Sequence, residues 1–195
     1  MKKLLLASGS SRRKELLDQI GVQYQSASMD IDESVQVSEA PSDYVLRMAI
    51  EKAQAGIEAK PDMVVLAADT SVVVAGNILG KPDNAQVAHE MLRHLSGKTH
   101  QVLTAIAVAT HIQGKVSIAS QVVVTDVSFS VLTDQQIEQY INTTEPMDKA
   151  GAYGIQGKAA LFVERIQGSY SNVVGLPLAE TGKILQRFDI PVWRD

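Results

Sequence analysis

The chemistry-bearing residues of this 195-residue chain fall into a few short stretches. The first is Ser8-Gly9-Ser10, set between an apolar run at residues 3–7 and a stretch with Leu16, Leu17 and Ile20 at helical spacing. A strand, a Gly/Ser turn and a helix start leave backbone N–H groups aimed at the turn, which makes an anion cradle. Arg12, Arg13 and Lys14 stand in the first helical turn, where the dipole disfavours each cation by about 0.3–1 kcal/mol. A bound phosphate would turn that penalty into attraction. The other reading is a solvated cap with exposed arginines.

Asp69 follows Met63 to Ala68, the most apolar strand candidate, and a carboxylate at the carboxyl end of such a strand has the address of a ligand site. A turn aspartate is the alternative. Lys52 shares an apolar helical stripe with Met48 and Ala49, which fits either a functional ammonium or one that snorkels to an edge. Arg47 and Glu51 read as a surface ion pair. Lys81 is held extended by Pro82. Asp30, Asp32 and Glu33 form an acidic loop, either solvated or holding a hard cation through oxygen ligands. Gly151, Gly154 and Gly157 recur at intervals of three and would let backbone approach a ligand. Gln156 lies among them with an amide able to read a base edge.

Other chemistries fail on inspection. Gly97-Lys98-Thr99 lacks the upstream glycine of a phosphate loop, and His89-Glu90 with His94 is one residue too long for the zinc motif. Gly168-Ser169 lacks the second glycine of a nucleophile elbow. None of the four histidines has an evident partner. Zero cysteines exclude disulfides, thiolate metal sites and a cysteine nucleophile. A net charge of −4 and one tryptophan argue against an extended nucleic-acid surface. The apolar run after Lys3 is too short for a secretory signal or a membrane span, so a cytoplasmic protein is expected.

The elements that must position these residues alternate in type. Strands are expected at residues 3–7, 22–28 and 63–68, with a hairpin turning at Gly76-Asn77 and two long antiparallel segments at 101–109 and 116–131. Helices are expected after Ser10, from a Ser42 cap to Ala59, from an Asp83/Gln86 cap to Gly97, from a Thr133/Gln136 cap, and from Pro177 onward. The pattern predicts a mixed α/β protein.

Taken in order, several blocks together resemble the Maf family of nucleoside triphosphate pyrophosphatases. They are Leu6-Ala7-Ser8-Gly9-Ser10 with Arg12-Arg13, Ala68-Asp69-Thr70, Lys81-Pro82, Ser96-Gly97 with Thr99-His100, Asp148 through Gly157, and Gly168-Ser169-Tyr170 with Asn172 through Pro177. The Gly-Ile-Gln-Gly segment and the Ser-Gly-Ser-x-Arg-Arg opening are similar to the branch acting on dTTP and UTP. Ser11 departs from the proline of many members.

The resemblance implies one Maf/ITPase-like domain over residues 1–195: two α/β lobes around an elongated mixed sheet with flanking helices, a shared cleft, and often a homodimer. It implies cleavage between the α- and β-phosphates with Mg²⁺ or Mn²⁺. Ser8, Ser10, Arg12 and Arg13 match the phosphate loop, Lys52 and Lys81 the catalytic cleft lysines, and Asp69 the catalytic carboxylate. Glu33 matches the acidic position that shares the metal with Asp69. Arg12, Thr70 and Gln156 match positions tied to base choice. The expected function is hydrolysis of dTTP, UTP or modified pyrimidine triphosphates. The alternative is a non-catalytic nucleotide- or nucleic-acid-binding regulator using the same basic loop.

Overall fold

The computed structural model describes residues 2–193. Seven strands are hydrogen-bonded in the order β2-β1-β3-β5-β6-β7, with β4 paired to β3. The strands are β1 (Leu4–Ala7), β2 (Tyr24–Ala27), β3 (Val64–Val74), β4 (Asn77–Leu79), β5 (Thr99–Ile112), β6 (Lys115–Phe129) and β7 (Val163–Gln167). The helices are α1 (Ser11–Gln19), α2 (Pro41–Ala59), α3 (Ala85–Leu95), α4 (Asp134–Ile141), α5 (Tyr170–Val174) and α6 (Leu178–Arg187). Short 3₁₀ turns occupy Glu145–Asp148, Ala150–Ala152 and Lys158–Phe162. The expected α/β class with a mixed sheet and flanking helices is what the chain adopts.

The chain divides into two compact units. The first comprises Met1–Asp69, Thr104–Val123 and Gly175–Asp195; the second comprises Thr70–Leu103 and Val124–Val174. In the first, β1 pairs in parallel with both β2 and β3, and its four residues are all buried. Burial on both faces is why Leu4 to Ala7 is uniformly apolar rather than alternating. The α2 stripe of Val45, Met48, Ala49, Ala53 and Ile57 is buried as expected. A Cβ on Gly56 would lie 2.6 Å from Val65 Cγ1, so only glycine lets α2 approach β3 this closely.

In the second unit, β3 forms an antiparallel hairpin with β4, and β6 pairs antiparallel with β7. Gln113-Gly114, both at positive φ and belonging to the first unit, separates β5 from β6, and so short a link joins only antiparallel strands. Thr133 and Gln136 complete the expected capping box on α4.

Several expected boundaries shift. The α2 cap is Ala40, not Ser42, because Pro41 takes the first helical position that its fixed φ suits. Asn84, rather than Asp83, caps α3 by accepting from Val87 N at 3.0 Å. Pro177 caps α6 from outside the helix. The hairpin turns at Ala75-Gly76, both at positive φ, with Val74 opposite Asn77. Asp69 does not end its strand: β3 runs on to Val74, since Thr70 to Val74 are mostly β-branched and favour extended backbone.

Candidate active site

The first unit assembles most of the expected residues. β1 ends at Ala7 and α1 starts at Ser11, so Ser8-Gly9-Ser10 forms the anticipated turn. Ser10 caps α1 by accepting from Arg13 N at 3.4 Å. Ser8 is buried, and its hydroxyl oxygen accepts from Ser10 N at 3.2 Å and from Arg13 Nη1 at 3.1 Å. Both contacts use Ser8 as an acceptor, so its O–H proton is directed elsewhere. A Cβ on Gly9 would make an ordinary 3.7 Å contact with Ser28, so packing does not require glycine there.

Arg13 is not the exposed arginine of a solvated cap. Its Nε donates to the Gly175 carbonyl at 2.8 Å, which with Ser8 fixes the guanidinium plane from two sides. Burial pulls its pKa down; Asp69 and Glu33 counter this, while Arg12 adds to it. Arginine remains charged through such a shift. The cation is therefore partly desolvated and shares its field with both carboxylates and with Arg12.

Lys52 does not snorkel to water. Its side chain is 12% exposed, and its ammonium lies 2.6 Å from Glu33 Oε1 and 2.8 Å from Asp69 Oδ1. The acidic loop is thus not merely solvated, because Glu33 is drawn to the same point as Asp69. Tyr44 stands in that field: burial first, then Asp69 and Glu33, push its phenol up to about 12.

The second unit holds the rest. Thr70 continues β3, and Lys81 is exposed in the loop after β4. The Gly80 carbonyl accepts from Gly151 N at 3.0 Å, which ties the Lys81 loop to the glycine-rich segment. Gln156 is exposed in the turn closed by Gly157 N donating to Gly154 O at 3.0 Å.

The three glycines carry a correction. A Cβ on Gly151 would lie 2.9 Å from Val72, one on Gly154 2.6 Å from Lys149, and one on Gly157 2.1 Å from Glu145. They accommodate the protein's own side chains rather than a ligand. Glu145 uses that space to accept from Tyr140 OH and Lys158 N, each at 3.0 Å.

The histidines also need correcting. His100 is 1% exposed, with Nε2 2.8 Å from Tyr153 OH and its ring edge-on to Phe129 and Tyr153. Burial lowers its pKa to about 4. The Thr99-His100 pair within the family-like blocks was the one signal for it. Gly175, which seats Arg13, also lay in such a block, but nothing local marked its carbonyl as a partner.

No group of three or more His, Cys, Asp or Glu that could hold a metal occurs among the described residues, so a cage made wholly of protein is absent there. Two carboxylates converging on one cation suit a different arrangement. Mg²⁺ commonly takes one or two carboxylates and completes its shell with water and substrate phosphates. Glu33 and Asp69 fit that donor set. Among the described residues no helix is long and apolar enough to cross a membrane.

The family model described as Maf-like protein matches residues 3–188. A protein named dTTP/UTP pyrophosphatase from Hahella chejuensis (strain KCTC 2396) is 51% identical over 197 residues, covering 100% of this chain and 96% of the relative. Proteins of the same name from Vibrio parahaemolyticus serotype O3:K6 (strain RIMD 2210633) and Escherichia coli (strain K12) are 52% and 50% identical. They cover 95% and 97% of this chain, and 96% and 94% of the relatives. A solved structure titled as a HAM1 protein from Coxiella burnetii matches with a TM-score of 0.53 over 96% of this chain and 100% of that one. At 16% identity that likeness is one of fold.

Proposed function

This chain belongs to the Maf family, and from that premise we propose that it is a nucleoside triphosphate pyrophosphatase acting on dTTP and UTP. Water attacks the innermost phosphorus, the bond between the α- and β-phosphates breaks, and a nucleoside monophosphate and pyrophosphate result. The observation that carries the site assignment is the Lys52 ammonium held between Glu33 and Asp69, in the unit that bears the Ser8–Arg13 loop.

The residues divide the labour as follows. The loop at Ser8 to Ser10 offers backbone N–H groups and hydroxyls to phosphate oxygens. Arg12 and the seated Arg13 offset charge that grows on the leaving pyrophosphate. A preset guanidinium matters because it needs no reorganisation as that charge develops. Lys52 holds the Asp69 carboxylate in one orientation, and Asp69 accepts the proton of the attacking water. Glu33 and Asp69 would hold a divalent cation, Mg²⁺ or Mn²⁺, which when bound screens the triphosphate and makes a neighbouring water more acidic.

On the second unit, Lys81 contributes a further phosphate cation, and Thr70 and Gln156 read the base. An amide donates and accepts at once, which matches the adjacent carbonyl and N–H of uracil or thymine. The same reading takes residues 1–195 as one functional domain, working in the cytoplasm as a homodimer. Whether normal or modified pyrimidine triphosphates turn over faster is read by competition kinetics. The test of the reaction is product mass: dTTP with Mg²⁺ yields dTMP and pyrophosphate, and Asp69→Asn abolishes turnover while keeping nucleotide binding. Orthophosphate as the sole inorganic product would overturn the assignment.

A further inference from the structure

Glu33 belongs to an acidic loop with no regular secondary structure, yet its carboxylate is delivered to Lys52. What holds the loop is α2. Tyr44 OH donates to the Glu33 carbonyl at 3.0 Å. Arg47 Nη2 donates to the next carbonyl, that of Ser34, at 2.9 Å. Lys52, on the same helix, takes the Glu33 side chain itself. At 3.6 residues per turn Tyr44 and Arg47 are neighbours on the helix surface, while Lys52 lies about 140° round from Arg47, so the helix takes the loop backbone and the Glu33 side chain at two separate places.

Arg47 is in turn immobilised. Its Nε and Nη2 meet Glu39 Oε1 and Oε2 at 2.6 and 2.8 Å, a bidentate pair whose Glu39 side chain is only 8% exposed. Its Nη1 reaches Glu51 at 3.4 Å, and its guanidinium lies 5.6 Å from the centre of the Tyr44 ring. Glu39 also accepts from Gln36 N at 2.9 Å, tying the far side of the loop to the same fork. The Arg47 hydrogen bonds hold the Glu39 carboxyl down at about 2. The Arg47/Glu51 pair that the sequence presents as surface decoration is the outer edge of this clamp.

We infer that Tyr44 and Arg47, with Glu39 as the anchor of Arg47, are positioning residues that set the Glu33 carboxylate for the hydrolytic reaction. They grip the two consecutive carbonyls at Glu33 and Ser34 and so fix the direction in which the Glu33 side chain leaves the loop. The inference rests on Glu33 belonging to the site proposed above. A lysine at 47 would keep the charge but cannot reproduce the planar fork that reaches Glu39 and the Ser34 carbonyl together.

The experiment combines dTTP turnover with hydrogen–deuterium exchange on the full chain. It compares Tyr44→Phe, Arg47→Ala, Arg47→Lys, Glu33→Ala and the Glu33→Ala/Arg47→Ala double variant. Misplacing a reacting group by about 1 Å can cost up to about 100-fold, so the loss of one grip is expected to lower kcat roughly tenfold. Exchange should accelerate at residues 32–36 and nowhere else, with the melting temperature held within a few degrees. Arg47→Lys should behave as Arg47→Ala. In the Glu33→Ala background, Arg47→Ala should cost nothing further, because its target is gone. Independent, multiplying losses would overturn the inference, as would uniformly faster exchange with a lowered melting point. Tyr44→Phe, which keeps the ring, tests the grip should Arg47→Ala fold poorly. A Glu33→Ala variant at full rate would refute the site reading itself. A slow Glu33→Ala beside a fully active Arg47→Ala would refute only the clamp.

Discussion

Replacing Lys52 by methionine keeps the unbranched apolar stem, one atom shorter, and removes the charge that separates Glu33 from Asp69. The two carboxylates each contact the same nitrogen, at 2.6 and 2.8 Å, so they cannot stand farther apart than those contacts laid end to end. Two like charges about 5 Å apart repel by about 3 kcal/mol at an effective dielectric constant of about 20. Glu33 is 56% exposed, and solvent screening of its side cuts that to about 1 kcal/mol. Asp69, at 15% exposure, also loses its cation, and a partly buried charge left without its partner costs about another 1 kcal/mol after the same discount. Methionine offsets part of this by avoiding the desolvation of an ammonium, but it cannot neutralise what remains.

The expected loss of about 2 kcal/mol corresponds to a melting temperature lower by about 4–8 °C in a chain of this size. The assay is thermal unfolding of nucleotide-free protein, with dTTP turnover measured alongside. Turnover should fall by about two orders of magnitude, comparable to loss of one preorganised electrostatic group. The double variant Lys52→Met/Glu33→Gln, which removes one of the two repelling charges, should regain about half of the lost stability and none of the activity. A Lys52→Met protein as stable as wild type, or one that Glu33→Gln destabilises further, would refute the electrostatic account.

Other tests address separate parts of the molecule. His100 has a folded pKa of about 4 against an ordinary 6.5, so the unfolded chain takes up a proton first as pH falls. Its contribution is present above about 6.5 and drains away toward 4, about 3 kcal/mol in all, and His100→Gln should flatten that limb of the stability curve measured by denaturant unfolding. Gly157→Ala drives a Cβ into Glu145 and should lower stability by about 1–3 kcal/mol, whereas Gly9→Ala meets only an ordinary contact and should raise KM for dTTP with stability changed by less than about 0.5 kcal/mol. Equal melting shifts for the two glycine variants would contradict the packing argument. Gln156→Ala should lower kcat/KM for dTTP and UTP about 10- to 100-fold more than for a purine triphosphate, and a uniform loss across bases would remove Gln156 from base reading.

Some of this chain was legible from its own residues because the rules that set it act over a few positions. Apolar runs marked β1 and the core of β3, a 3.6-residue stripe marked α2, and Thr133 with Gln136 marked the start of α4. Cations at the opening of α1, where the helix dipole opposes them, fitted either an anionic guest or a solvated cap, and the helix starts after Ser10 as expected, with Ser10 as its cap. Cap positions slipped by one or two residues where a proline or an asparagine next door suited the geometry better, as at Pro41 and Asn84. The same local reading made Asp69 a strand terminus, although β3 runs on to Val74, and left Arg47 on the surface, because spacing gave no sign that the Glu39 loop folds back onto α2.

Partnership was decided by the tertiary structure. From its spacing Lys52 suited snorkelling better, until α2, packed through Gly56 onto β3, set its ammonium against Asp69. Arg13 could be called seated only once the distant Gly175 carbonyl met its Nε, and the spaced glycines were explained only when Val72, Lys149 and Glu145 filled the space they leave. Periodicity and capping are written into neighbouring residues, since the backbone hydrogen bonds of helices, caps and tight turns span only a few positions. The environment of a charge depends on which distant groups the packed core brings within a few ångströms, and that is settled when the whole chain folds.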